Sequence, residues 1–157
     1  EEFGLLGAQA WVKAHKDKLP KIANLFNRDG GPEPPVGISV PQAMYDDFVK
    51  ISEPIQKIRP DYPFEVKVRE PRKRPTRMGG TDASVFAIEG VPTLGFTTED
   101  FKGYDFDYGE IWHTERDLYT KNIPEYQEHT ATVTAIIALG VANLDKQLSR
   151  EGLYTEE

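Results

Sequence analysis

Apolar and polar positions along the chain switch between helical and strand periods. From Leu5 to about Lys16 the run LLGAQAWVKAHK is rich in helix formers and closes before Pro20, predicting a first helix. Ile22 to Phe26 is a short apolar stretch ended by the turn signal Asp29-Gly30-Gly31, and it reads as a buried strand. Gly37 to Val40 predicts a second short strand. Pro41 to about Ile58 predicts a helix, with Pro near its first turn and Met44, Phe48, Ile51 and Ile55 at helical spacing. Phe64 to Val68 alternates apolar and polar positions, the mark of a half-buried strand.

A basic linker with two prolines, Arg69 to Arg77, follows, expected to be solvated. Thr81-Asp82 reads as a cap before a helix over Ala83–Glu89, Val91–Thr97 as a strand, and Thr98–Trp112 as a long loop. A final helix is predicted from about Pro124 to Leu148, its stripe formed by Tyr126, Thr130, Val133, Ile137, Val141 and Leu144. Strands alternating with helices imply a layered α/β sheet.

Composition narrows the functional classes. Among 157 residues, 19 basic and 26 acidic side chains give a net charge of −7, which argues against a nucleic-acid partner and a basic membrane-surface helix. No apolar run is long enough to span a membrane. Without cysteine, disulfides, thiol catalysis and thiolate metal sites are excluded. The chain opens on Glu1 with no initiator Met and no signal peptide, which reads as a processed chain or a piece of a longer one.

Several residue groups carry candidate chemistry, each with a plain structural alternative. Glu1 and Glu2 lead into a helix; adjacent carboxylates can divide metal binding and proton abstraction, or simply form an acidic terminus near a helix start. Asp29 stands where an open α/β sheet binds ligands, or it bonds its own turn backbone. His113, in Trp112-His113-Thr114-Glu115-Arg116-Asp117, is the one histidine expected in a loop, whereas His15 and His129 fall in helices as solvated or half-packed residues. No H-E-x-x-H occurs, and Ser84 lacks the G-x-S-x-G frame. Asp82, beside Gly79-Gly80-Thr81, is a helix cap or a pocket residue. Asp100, Asp105, Asp107 and Glu110 lack EF-hand spacing and read as a surface loop whose aromatics wall a pocket.

The order of these groups is more specific than any one of them. Glu-Glu-x-Gly-Leu-x-Gly, a strand ending in Asp, Gly-Thr-Asp-x-x-x-Phe with Gly-Val-Pro, then Trp-His-Thr-x-x-Asp and a long last helix resembles metallopeptidase family twenty-eight, over about Glu1 to Leu148. That family comprises dinuclear zinc aminopeptidases and carboxypeptidase Q relatives. The resemblance implies a three-layer αβα sandwich with a mixed sheet, the zinc-exopeptidase fold, incomplete on its N-terminal side. Residues 1–157 are then the C-terminal part of one catalytic domain.

By matching motif, the resemblance makes Glu1 the general base, Glu2 and His113 ligands to one zinc, and Asp29 the terminal ligand to the other. Asp82, Trp112 and Asp117 become pocket or supporting residues. Two zincs per complete domain and a short peptide or dipeptide substrate follow, as does a secreted or periplasmic location; the oligomeric state stays open, a homodimer included. The family's further histidine and bridging aspartate lie upstream of the Glu-Glu pair and have no match here, so the isolated chain is expected to be inactive. A non-catalytic interaction domain of the transferrin-receptor-like kind and a glutaminyl-cyclase-like zinc enzyme stand as alternatives on the same fold.

Overall fold

The computed structural model describes residues 2–155. Five helices and three strands follow in order: α1 (Leu6–Ala14), β1 (Pro35–Val40), α2 (Tyr45–Ile58), β2 (Glu65–Val68), α3 (Asp82–Ile88), β3 (Phe96–Thr98), α4 (Tyr108–Ile111) and α5 (Pro124–Ala142). Strand β1 is central, parallel to β2 and antiparallel to β3, so the sheet is mixed with order β2-β1-β3. The β1–β2 register runs from Gly37 opposite Glu65 to Val40 opposite Val68. Parallel neighbours need a crossover, and α2 supplies it.

The helices fall into two groups, α2 with α5 against the strands and α1 with α3 in a cluster of their own. The larger core joins Ile38 and Val40 of β1 to Phe48, Ile51 and Ile55 of α2 and Val133 and Ile137 of α5. Burial of side chains this size contributes about 1.5–3 kcal/mol each. A smaller core joins Leu5 and Val12 to Val85 and Phe86 of α3, with Leu19 and Val91. Residues 22–26 run between them: Ala23 and Phe26 pack on the first core, Ile22 and Leu25 on the second. The result is an α/β fold in layers.

Helix α2 extends to Ile58 although Pro54 lies inside it, at an exposed position on the helix. Its apolar stripe falls where the spacing placed it. Helices α2 and α5 approach closely where Gly140 meets Ile51; a Cβ at residue 140 would collide with that side chain.

The strand expected at Ile22–Phe26 is an extended segment without a ladder. Leu25 N–H donates to Pro92 O at 2.9 Å, but Pro92 has no N–H to return, and the Asn24 side chain takes both backbone groups of Leu94, at 2.8 and 3.2 Å. For the same reason the strand expected over Val91–Thr97 shrinks to Phe96–Thr98.

The loop expected over Thr98–Trp112 contains α4, started by Asp107 Oδ1 accepting from Gly109 N–H at 2.8 Å. Helix α5 ends at Ala142, with Asn143 bonding back to Leu139 O, while Leu148 reaches the core from beyond it. Thr81 precedes α3 but its side chain makes no capping bond; Ser84 Oγ donates to Thr81 O instead. The basic segment is exposed but tied down: Arg74 donates twice to Ile88 O at the end of α3, and Arg72 donates to Thr93 Oγ1 at 2.8 Å.

Candidate functional site

The turn after residues 22–28 forms one wall of a cleft of about 630 Å³. Its shape is set by Arg28, whose guanidinium donates to Gly31 O at 2.8 Å and to Glu33 O, closing the Asp-Gly-Gly turn on itself. Burial pulls the Arg28 guanidinium below its ordinary range, with Glu33 acting in the opposite sense. Within the turn, Asn27 Nδ2 donates to Asp29 Oδ2 at 2.6 Å, orienting a carboxylate that lines the cleft. Gly31 leaves room for the Phe106 ring, which a Cβ there would meet at 2.6 Å.

The opposite wall comes from α4 and the segment after it. Thr114 Oγ1 donates to Glu110 O at 2.9 Å and accepts from Arg116 N–H at 3.2 Å, so a tight turn follows the helix. That turn holds His113 at φ +56°, a left-handed conformation uncommon outside glycine. Trp112 lines the cleft and stacks on the His113 ring, with centroids 4.4 Å apart. Across the cleft mouth, His113 Nε2 lies 3.1 Å from Glu2 Oε1. The two residues are 111 positions apart in sequence.

Glu2, Asp29, Trp112, His113 and Asp117 therefore all line one cleft. Glu1 lies outside the described residues. Asp82 opens α3, in the helix pair of the smaller core, and does not line the cleft. His15 caps the end of α1, its Nδ1 2.9 Å from Trp11 O. His129 is fully buried rather than solvated or half-packed, with Nε2 3.0 Å from Pro35 O and its ring stacked on Tyr62.

The donor chemistry of Glu2 and His113 suits one zinc ion, which takes carboxylate oxygen and imidazole nitrogen. Among the described residues no three His, Asp or Glu side chains converge closely enough to hold a metal ion. The arrangement is thus a facing Glu2–His113 pair with a second carboxylate, Asp29, on the wall opposite His113. Sequence reasoning passed over Arg28 and Thr114, which shape the two walls; neither belongs to a pattern visible before folding, since their partners are backbone carbonyls and amides.

The family model described as Peptidase family M28 matches residues 1–137. The chain belongs to peptidase family M28. A crystal structure of a Peptidase M28 precursor from Shewanella amazonensis SB2B is similar to this M28 chain, with a TM-score of 0.66 at 23% sequence identity. The match covers 93% of this chain and 30% of that one, so the M28 chain spans under a third of the length of that structure. No curated protein sequence matches. Among the described residues no helix is long and apolar enough to cross a membrane.

Proposed function

We propose that residues 1–157 are the C-terminal part of a zinc exopeptidase catalytic domain, which hydrolyses a terminal peptide bond in a dipeptide or short peptide. The observation that supports this reading is the pairing of Glu2 with His113 in a cleft that Asp29 also lines, in a chain of a peptidase family. Glu2 and His113 are proposed as ligands of one zinc and Asp29 as a ligand of a second. Zinc bound there supplies an acidified water and a polarised scissile carbonyl. Glu1, adjacent to Glu2 in sequence, is proposed to accept the proton of the attacking water and return it to the leaving amine. Trp112 fixes the imidazole plane by stacking, and Asp117 is proposed to steady the turn that carries it.

An interaction domain of the same fold is the second reading. Three metal-type donors drawn from three distant stretches to one cleft favour the enzyme, since a purely adhesive surface gains nothing from them. Within its 157 residues the chain has no match for the bridging carboxylate, so by itself it is proposed to bind at most one zinc weakly and to hydrolyse no peptide.

Zinc calorimetry and a dipeptide assay test this. Two tight zincs with turnover in the isolated chain would contradict the half-domain reading. In the longer protein, Glu1→Gln is expected to keep zinc and lower kcat by about 10²–10⁴. Near-normal turnover of that variant removes Glu1 from the base role.

A further inference from the structure

A second cavity, of about 560 Å³, adjoins the cleft and shares Ile111, Lys121 and Asn122 with it. Charge is distributed unequally between the two. Of the basic side chains lining the cleft, Arg28 is committed to turn carbonyls and His113 faces Glu2. Lys121, at the end of the 3-10 turn Tyr119–Lys121, is held only loosely: its Nζ is 3.8 Å from Glu110 Oε2, beyond hydrogen-bond distance, and the side chain is 44% exposed. It stands on the shared wall with its donors available to an incoming anion.

Beyond that wall the second cavity is lined by acidic and apolar side chains together. Phe106, Ile111 and Ile123 supply apolar surface, and Asp105, Asp107 and Glu125 outnumber the one lining cation, Lys121. Glu125 is occupied by Lys102, Tyr62 and Tyr104, and its hydrogen bond from Lys102 holds it below the usual carboxylate range. Asp107 is committed to Gly109. Asp105 differs: among the described residues its carboxylate accepts no hydrogen bond. Its backbone is nevertheless fixed, with N–H donating to Asp100 Oδ2 at 2.8 Å and φ at +56°.

We propose that this cavity is a specificity pocket for a peptide ending in lysine or arginine. Lys121 binds the free α-carboxylate on the shared wall, the methylene stem lies along Phe106, Ile111 and Ile123, and Asp105 meets the side-chain cation. The inference rests on the peptidase reading and adds to it a substrate class. A long basic side chain fits a pocket lined by both apolar and anionic groups, because its stem and its charge are satisfied separately.

The test uses the 157-residue chain carrying Trp11→Phe, so that Trp112 in the cleft is the sole indole emitter. Its emission is titrated with Ala-Lys, the C-terminal amide of Ala-Lys, and Ala-Glu. Ala-Lys is expected to bind about fivefold more tightly than either other peptide, the scale of one half-exposed ion pair. Lys121→Gln is expected to erase the difference between acid and amide, and Asp105→Asn the difference between Ala-Lys and Ala-Glu. An unchanged unfolding midpoint shows that each variant is folded. Equal affinities in the parent chain, discrimination that survives both substitutions, or no response to any peptide overturns the proposal. A longer protein that hydrolyses peptides with no preference for a basic C-terminus overturns this pocket alone. One that hydrolyses none overturns the peptidase reading.

Discussion

At the scale of single residues, His113 carries two demands that pull in opposite directions. Its ring must reach Glu2, and for this the backbone sits at φ +56°, which costs an L-residue roughly 1–2 kcal/mol. Glycine adopts that conformation freely. His113→Gly is therefore expected to be more stable than His113→Ala by about 1 kcal/mol, read as a higher denaturant midpoint, while both lose whatever zinc the chain binds. Equal midpoints would show that the turn relaxes when the imidazole is removed. The sequence displayed His113 as a chemical candidate through its Trp-His-Thr neighbours, but nothing in it displayed the strain, which depends on how Thr114 closes the turn.

At the scale of elements, legibility followed periodicity. Helix α2 was readable because Phe48, Ile51 and Ile55 repeat on one face and all three are buried. The extended segment 22–26 was misread as a strand because its apolar run is real but its partner contains Pro92, and a missing donor on a neighbouring segment is invisible locally. The same limit applies to His129. Its place in a helix was legible, but it was expected to be solvated or half-packed, and its burial came from Pro35 of β1 and from Tyr62, far away in sequence.

That burial has a pH consequence. His129 is fully buried, Nε2–H serves Pro35 O, and Nδ1 has no partner among the described residues. Burial lowers its basicity below the ordinary value; the Pro35 carbonyl and Asp61 work the other way, while Arg59 and Lys102 add to the lowering. Glu125, Tyr126 and Glu128 share its helix, and Asp100 is bonded to Tyr126. The unfolded chain, with its histidine near 6.5, takes up a proton that the folded chain refuses, so stability falls as pH drops below about 6.5. The loss is bounded at about 1.4 kcal/mol per pH unit until the folded value is reached. Urea midpoints between pH 7.5 and 5.5 should show this slope, and His129→Gln, which retains an N–H donor, should flatten it. An unchanged slope in the variant assigns the acid sensitivity to other groups.

At the scale of the whole molecule, the layered α/β class was legible from alternating elements, and the order of motifs was legible as a family. What the chain could not disclose in advance was that its candidate site draws on both cores. Glu2 precedes Leu5 of the smaller core, Asp29 follows the segment between the two, and Thr130 on the cleft wall belongs to α5 of the larger one. The two cores are separate sets of buried side chains, and they need not open together. Amide hydrogen exchange should therefore report at least two cooperative units, with α1 and α3 exchanging through smaller openings than α2 and α5. Each opening of the smaller unit is then expected to withdraw Glu2 from His113 while the sheet stays folded. An ion or peptide that engages both sides of the cleft is then linked to local folding of α1: it slows exchange there most, in proportion to its own occupancy, and leaves the interior of α5 almost untouched. If exchange reveals two such units, the site doubles as the clasp between two separately breathing halves of one small molecule.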